Sequence, residues 1–225
     1  MAGKSDRACS AYEVLKWEIV TGQRKPGAVF DEKAFAEQIG VSRTPVREAV
    51  IRLTREGLLD VIPRRGTFVS GISMEDIRQI YEMRTMLEPQ IVGIAARKAD
   101  RKELEDWQHY FEQAMENGTG GEPPSALPDP DAAFHLFLAE STGNHFIREQ
   151  MEALMTQTQR IRYLSNKWKE KRLSSSMEEH LEMIRAMLDG DEEAAAEAVS
   201  RHLKNSEEGY RMMVASGYLS DIRVF

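Results

Sequence analysis

Residues 31–70 carry the pattern that most constrains the fold of this chain. Asp31 and Ser42 are each followed by a helix-length apolar repeat, which predicts two short helices with a tight turn between them. The β-branched segments LLDVI and GTFVS follow and are separated by the basic turn PRRG, which predicts a two-stranded hairpin. Preceded by a helix at residues 10–22, this order of elements predicts a winged helix-turn-helix.

The spacing of apolar residues predicts which helix faces are buried. In residues 10–22 it predicts a buried face containing Val14, Trp17 and either Ile19 or Val20. In a longer helix at residues 77–99, three- and four-residue spacing predicts a second buried face, made of Ile80, Met83, Leu87, Ile91 and Ile94.

The remainder of the chain is predicted to be entirely helical. Residues 76–220 contain a series of amphipathic segments, which predict an antiparallel all-α bundle of six or seven helices. Residues 1–72 form the other predicted domain, with its core at about residues 10–70 and a linker at about 71–75. The expected fold is therefore mainly α.

The formal charge differs in sign between the two predicted domains. The whole chain carries −7, but residues 1–70 contain 12 basic and 9 acidic side chains, a charge of +3. The rest contains 18 and 28, a charge of −10. A basic part joined to an acidic part is consistent with polyanion binding by the first domain.

Composition also narrows the expected location of the protein. Cys9 is the single cysteine, so no disulfide can form within the chain. No segment approaches the roughly 18 uninterrupted apolar residues of a membrane span, and the first residues resemble no signal peptide. We expect a cytoplasmic protein that does not associate with membranes.

The helix that follows Ser42 has the features of a DNA-reading helix. Arg43 and Arg47 are four residues apart and therefore share one face of the helix. The N-terminal turns of such a helix face the bases of the major groove, and an arginine on a guanine edge discriminates by ~1–3 kcal/mol. The opposing interpretation is a solvated face with ion pairs to Glu48 and Glu56. The basic hairpin that follows favours DNA.

Residues around this helix are predicted to hold the DNA backbone. The basic wing tip can reach phosphates or the minor groove, and glycine there permits close approach of the backbone. A lysine early in the preceding helix can contact the opposite strand. The complete predicted DNA-binding set is Lys33, Ser42, Arg43, Thr44, Arg47, Arg64, Arg65 and Gly66.

Four residues of the predicted bundle have spacing that suits a metal site. Asp131 and His135 are four apart and share a helix face. His180 precedes the turn of the last helical hairpin by about 14 Å of helix, and His202 follows it by about 16 Å, so the two imidazoles stand at similar heights on antiparallel neighbours. One carboxylate and three histidines suit Zn²⁺, Ni²⁺, Mn²⁺ or Fe²⁺. The alternative is that these histidines are ordinary core residues. We take His109 and His145 as structural.

The first domain resembles the DNA-binding domain of the GntR family of bacterial regulators. The resemblance covers roughly residues 10–70 and includes a Pro-Gly turn, SRTPVREA, L-x-x-EGL and RRGTFV. It implies a symmetric homodimer on a palindromic double-stranded operator. It also implies contacts from Arg43, Arg47, the wing at Gly66 and Lys33.

The second domain resembles the all-helical effector domain (FCD) of the FadR-type branch of that family. The motifs Asp131-x-x-Phe-His135, Thr142-Gly-Asn144 and Glu179-His180 carry the likeness, together with His202 after the Gly-Asp turn. It implies a divalent metal held by one Asp and three His, with a small organic acid beside it.

Two residues are expected to contact that organic acid. The first is Arg84, which together with Glu88 matches the Arg-x-x-x-Glu motif of the branch. Its guanidinium group can pair with a carboxylate of the acid. The alternative for Arg84 is an ion pair with Glu88 within the helix. Asn144 is the second expected effector contact. Glu179 is expected to point away from the histidines.

The leading hypothesis is a ligand-responsive transcriptional regulator, a repressor of a carbon or organic-acid catabolic operon, and not an enzyme. Two alternatives remain: metal-dependent enzyme activity in the helical domain, and a metal that is purely structural. The sequence leaves the metal, the effector and the operator unidentified.

Overall fold

A computed structural model describes residues 10–117, 123–125, 129–164 and 169–215. Contacts divide the chain into two compact units, of which one extends to Ile72 and the other begins at Ser73. The ends of the two predicted domains, residues 1–9 and 216–220, lie outside the described residues. The mainly α architecture predicted from the sequence is confirmed.

The first unit is a winged helix-turn-helix. Its helices are α1 (Ala11–Val20), α2 (Glu32–Ile39) and α3 (Arg43–Arg55), and its strands are β1 (Val29–Phe30), β2 (Leu59–Ile62) and β3 (Gly66–Val69). The antiparallel sheet has the order β1-β3-β2, with Thr67 opposite both Phe30 and Val61. The hairpin was predicted from the sequence, but the two-residue β1 was missed because it is too short to show alternation.

Local sequence explains where the helices of this unit begin and end. The Asp31 side chain accepts hydrogen bonds from the N–H groups of Lys33 and Ala34 and so caps α2. Gly40 ends α2 in the left-handed region, at φ 72°, where glycine is strongly favoured. The three helices and the sheet enclose one apolar core, which includes Leu15, Ile19, Phe35, Val46, Leu53 and Leu58.

The predicted buried face of α1 was wrong at Trp17. The residues that α1 buries are Ala11, Leu15, Ile19 and Val20, whereas Trp17 is exposed. The four-residue steps from Ala11 through Leu15 to Ile19 follow the helical repeat more closely than the face chosen from the sequence.

The second unit is an all-helical bundle. Its described helices are α4 (Met74–Lys98), α5 (Arg101–Asn117), α6 (Pro130–Ser141), α7 (His145–Leu164), α8 (Lys169–Asp189) and α9 (Glu192–Ala215). Six helices agree with the prediction of six or seven. In the described parts of the chain, no helix is both long and apolar enough to cross a membrane.

The predicted buried face of α4 was correct only in part. This helix buries Ile77, Tyr81, Arg84, Glu88, Ile91, Val92 and Ala95. Of the predicted face, Ile91 is buried, Ile80, Leu87 and Ile94 are half-buried, and Met83 is exposed. Apolar periodicity selected the other side of the helix because the side that enters the core contains a charged pair.

Candidate metal centre and nucleic-acid interface

The structure brings together the four residues that the sequence proposed as metal ligands. Asp131 and His135 lie on α6, His180 on α8 and His202 on α9. One ligand atom from each residue lies within 4.8 Å of all the others. The three imidazole rings are neighbours, with centroids 4.6 to 5.3 Å apart. The arrangement places one carboxylate and three imidazoles around a single point.

The α8–α9 turn sets the height of His180 and His202. Gly190 has φ 76°, in the left-handed region, and the N–H of Asp191 donates to the carbonyl of Ala186 to close α8. The side chain of Asp191 then caps α9 by accepting from the N–H of Ala194. Because this turn is short, the two helices return antiparallel and their histidines meet.

His180 is buried, and among the described residues its ring nitrogens have no hydrogen-bond partner. His135, His180 and His202 are each 1% exposed. Within the described residues, neither ring nitrogen of His180 has a hydrogen-bond partner, and Asp131 Oδ1 lies 3.7 Å from Nε2. A buried polar group left unsatisfied costs about 1–3 kcal/mol, and a cation bound at the cluster would accept this nitrogen as a ligand.

Carboxylates contact the Nδ1 atoms of His135 and His202. Glu88 Oε2 lies 2.7 Å from Nδ1 of His135, and Glu179 Oε2 lies 2.8 Å from Nδ1 of His202. A partner at Nδ1 fixes the ring and leaves Nε2 for a metal, as is common in metal proteins. The expectation that Glu179 points away was therefore wrong: it faces His202 across the α8–α9 hairpin, a contact between helices that adjacency to His180 in sequence does not reveal.

The protonation states suit a metal ligand set. Burial is the largest effect on His180 and holds its pKa well below the ordinary value, and burial likewise lowers the pKa of His202. Both rings are therefore neutral at pH 7 and can donate a lone pair. Burial by itself would raise the pKa of Asp131, but the charge of Arg162 outweighs it and holds that pKa well below its usual range.

Charged groups around the cluster leave an excess of negative charge. Arg162 contacts Asp131 and, at 2.5 Å, Asp129. Arg84 Nε lies 2.5 Å from Glu88 Oε1. With Glu179, these contacts include four carboxylates and two guanidinium groups, a formal charge of −2 among the groups described. A divalent cation would balance it.

Arg84 forms an ion pair with Glu88 and also lies beside His135 of the candidate metal cluster. The Arg84–Glu88 pair considered from the sequence is present, and both side chains are almost completely buried. The same guanidinium also reaches the cluster, since its Nη2 lies 3.5 Å from Nε2 of His135. Burial by itself would raise the pKa of Glu88, but Arg84 and His135 outweigh it and lower the pKa to about 2.

Asn144, the other expected effector contact, is placed differently. It is exposed, and its side-chain oxygen accepts hydrogen bonds from the N–H groups of Phe146 and Ile147 at the start of α7. The structure therefore places Asn144 in a helix-capping role and does not bring it together with the four ligands.

The basic face of α3 is exposed in the first unit. Ser42, Arg43, Thr44 and Arg47 are all exposed, and Ser42 makes no side-chain capping hydrogen bond. Arg43 and Arg47 both face Glu32 of α2, at 3.8 and 3.2 Å. The alternative that these arginines pair with Glu48 and Glu56 is not what the structure shows, since the described pairs are to Glu32.

The remaining predicted DNA contacts lie at the edge of the same unit. Arg64 and Arg65 are exposed at the β2–β3 turn, where Arg64 adopts φ 64° and Gly66 adopts φ 112°. A positive φ is costly for a residue with a Cβ and routine for glycine. Lys33 projects from the first turn of α2, 3.9 Å from Glu37.

Comparison with known proteins assigns both units. Residues 8–69 match the model of the bacterial regulatory proteins of the gntR family, and residues 79–205 match the FCD domain. HTH-type transcriptional regulator LutR from Bacillus subtilis is 30% identical over 226 residues, covering 90% of this chain and 98% of LutR. The chain therefore belongs to the GntR family, in the group that carries an FCD domain. The family and the relatives that match are transcriptional regulators.

Solved structures share the fold. E. coli McbR/YncC matches with a TM-score of 0.75 at 24% identity, covering 91% of this chain and 96% of that one. The Zn²⁺-bound FCD domain of TM0439 matches with a TM-score of 0.51 at 23% identity, covering 65% of this chain and 99% of that one.

Proposed function

We propose that this protein is a dimeric repressor that binds a palindromic operator and releases it when a small carboxylate binds beside a divalent metal. The observation that carries the proposal is the convergence of Asp131, His135, His180 and His202 in a chain that also exposes a basic recognition helix. The family supports DNA binding and regulation. The proposed target of the repression is an organic-acid catabolic operon.

Weak ion pairs with Glu32 hold the two arginines of the recognition helix before DNA binds. Glu32 orients Arg43 and Arg47 along one face, but exposed ion pairs contribute only about 0–1 kcal/mol. Base edges and phosphates therefore replace Glu32 at little cost. Phosphate and minor-groove contacts are assigned to Lys33, Ser42, Thr44, Arg64, Arg65 and Gly66.

Replacing Arg47 by alanine is expected to weaken operator binding about 5- to 150-fold, because a base-edge contact is worth ~1–3 kcal/mol. The operator is first selected from random duplex DNA with the wild-type protein, and affinity is then measured by fluorescence anisotropy. Arg55→Ala is the matched control, since Arg55 is also exposed but lies in the last turn of α3. Equal affinity for the Arg47 variant and the control would contradict the assignment.

The four clustered residues are the proposed metal ligands. They fit Zn²⁺, Ni²⁺, Mn²⁺ and Fe²⁺, all of which accept imidazole and carboxylate ligands, and the related FCD domain of TM0439 has a Zn²⁺-bound form. A cation held there supplies a positive charge that attracts an organic carboxylate. Glu88 and Glu179 orient His135 and His202 toward it.

Arg84 is the proposed effector contact of this chain. Its Nη2 already lies 3.5 Å from His135, beside the proposed metal position, while its Nε is held by Glu88. A guanidinium fixed in this way can pair with a carboxylate with little loss of side-chain entropy.

A purely structural metal is the second candidate function, because four protein ligands in a buried site are typical of structural zinc. A thermal-shift screen of sugar acids, hydroxy acids and dicarboxylates, each with and without added Zn²⁺, Ni²⁺ or Mn²⁺, separates the two. A sensor gives an acid that raises the melting temperature only when metal is present, and that acid weakens operator binding. A structural metal raises the melting temperature alone, with no acid adding to it.

A further inference from the structure

The exposed side of α3 includes one apolar side chain among polar ones. Positions i, i+3, i+4 and i+7 lie along a single side of a helix, and four such positions of α3 are all exposed. We call them the reading face: Thr44, Arg47, Glu48 and Ile51. Thr44 and Arg47 are proposed DNA contacts, so Ile51, which is 55% exposed, lies on the side of α3 that the operator would occupy.

The core of the first unit does not explain an isoleucine at this position. The side of α3 that enters the core has the same spacing, and its members are at most 4% exposed: Val46, Ala49, Val50 and Leu53. At about 100° per residue, Leu53 is about 200° around the helix axis from Ile51. A β-branched residue also lowers helix propensity slightly. Neither burial nor helix formation therefore favours isoleucine here, which leaves a contact outside the chain.

Ile51 lies within the length of helix that reaches base edges. Arg47 and Ile51 are one turn apart, about 6 Å along the axis, and Thr44 and Ile51 are about 10.5 Å apart at 1.5 Å per residue. The recognition helix of a zinc finger reads three successive bases with side chains spread over about two turns. Because base pairs are about 3.4 Å apart, Ile51 would lie about two base pairs beyond the base that Arg47 contacts.

The chemistry of the major groove limits what Ile51 can contact. Its side chain has no hydrogen-bond donor or acceptor, and the apolar group that a base pair presents in the major groove is the C5-methyl of thymine. Glu48, three residues before Ile51, repels phosphates and so favours a base edge over the DNA backbone at this part of the helix. Arg43 and Arg47, one and two turns before Ile51, would be costly to bury against an apolar protein surface, whereas bases and phosphates pair with them.

We propose that Ile51 contacts the C5-methyl group of a thymine in each half-site of the operator and so selects a T·A base pair at one position. This inference rests on the proposed recognition helix and adds a specificity residue to it. An arginine selects guanine, whereas an aliphatic side chain selects thymine. Each half-site therefore contains a guanine read by Arg47 and, about two base pairs further along the groove, a thymine read by Ile51.

Replacing single thymines by deoxyuridine in the selected operator tests the contact. Deoxyuridine pairs with adenine as thymine does and lacks only the methyl group. At one position in each half-site the wild-type affinity, measured by fluorescence anisotropy, is expected to fall about fourfold, because one buried methyl contributes ~0.8 kcal/mol. Ile51→Ala is expected to bind the thymine and deoxyuridine duplexes equally, because alanine is too short to reach the methyl.

Val29→Ala is the matched control, since Val29 is 68% exposed in the same unit but lies on β1. It is expected to keep the wild-type sensitivity to deoxyuridine. A wild type that is insensitive at every thymine, or an Ile51→Ala protein with the wild-type sensitivity, overturns the proposal and leaves Ile51 in contact with solvent or with a protein.

Changing the chemistry at position 51 gives a second readout. Glutamine forms two hydrogen bonds with the N6 and N7 groups of adenine. Selection from random duplexes with Ile51→Gln is therefore expected to replace that thymine by adenine and to keep the guanine read by Arg47. An Ile51→Gln protein that selects the wild-type sequence contradicts the assignment of Ile51 alone. A wild-type protein that selects no DNA contradicts the proposed recognition helix itself.

Discussion

Replacing Glu88 by alanine is expected to lower the free energy of unfolding by about 3–5 kcal/mol, because it leaves a buried guanidinium without its partner. Arg84 is 1% exposed and its Nε lies 2.5 Å from Glu88. The loss is large compared with the roughly 5–15 kcal/mol that stabilises a typical protein. Urea unfolding followed by circular dichroism measures it.

Glu82→Ala is the matched control for that experiment. Glu82 lies on the same helix and pairs with Arg78 at 2.9 Å, but both side chains are about half exposed. An exposed pair of this kind contributes up to about 1 kcal/mol. If the Glu88 variant lost no more stability than the Glu82 variant, the Arg84–Glu88 pair would not be a buried charge interaction in solution.

A double variant distinguishes a structural pair from a functional one. Arg84→Met combined with Glu88→Leu removes both charges, and apolar replacement of a buried pair is often neutral or stabilising. We expect the double variant to regain most of the stability that Glu88→Ala loses. We also expect it to lose the response to organic acids, since Arg84 is the proposed effector contact. A double variant that is stable and still responds would remove Arg84 from the effector site.

Local signals in the sequence predicted the helices and the hairpin of the first unit, but not β1 or the buried face of α1. Asp31 caps α2 through its side chain, and the apolar alternation of β2 and β3 was visible around the basic turn. These features depend on residues a few positions apart, so a sequence reveals them directly. Trp17 was misplaced because its three-residue spacing from Val14 and Val20 also fits one face of a helix, whereas the four-residue steps from Ala11 to Ile19 lie on the face that is buried.

The second unit shows where such reasoning fails. The prediction of the metal site used the four-residue spacing of Asp131 and His135 and the similar distances of His180 and His202 from the Gly190 turn. Both depend only on positions within one helix or one hairpin. The pairs Glu88–His135 and Glu179–His202 join different helices and depend on how the helices are rotated. That rotation was misjudged for α4, because Arg84 and Glu88 face the core while Met83 does not.

The buried charges on α4 explain the error. A helix whose core side carries Arg84 and Glu88 has less apolar area to bury inward, so its apolar residues do not all lie on that side. Met83 and Met86 are exposed, and Leu87 is half-buried.

Replacing His180 by leucine is expected to remove metal binding and to leave the metal-free protein at least as stable as the metal-free wild type. The ring of His180 packs against Phe111 and Phe134, with centroids 4.9 and 5.2 Å away, and its nitrogens lack hydrogen-bond partners within the described residues. Leucine fills most of that apolar space without an unsatisfied polar group, a change that costs little or stabilises.

With metal present, we expect the wild type to be more stable than His180→Leu. A ligand that binds only the folded state stabilises it by about 4 kcal/mol at 1,000 times its dissociation constant. Zn²⁺ should therefore raise the melting temperature of the wild type and not that of His180→Leu, and a chelator should abolish the difference. His109→Leu is the matched control, because His109 is exposed and lies on α5, away from the four ligands in sequence and in contacts.

The two measurements together decide what His180 does. If it were an ordinary core histidine, calorimetric titration of the leucine variant with Zn²⁺ would give the wild-type affinity. If it is a ligand, the metal-free variant unfolds no earlier than the wild type while the Zn²⁺ affinity falls by at least about 100-fold, more than the upper end of what outer-shell changes produce. Retention of the affinity in the leucine variant would leave Asp131, His135 and His202 as a three-ligand site and exclude His180 from it.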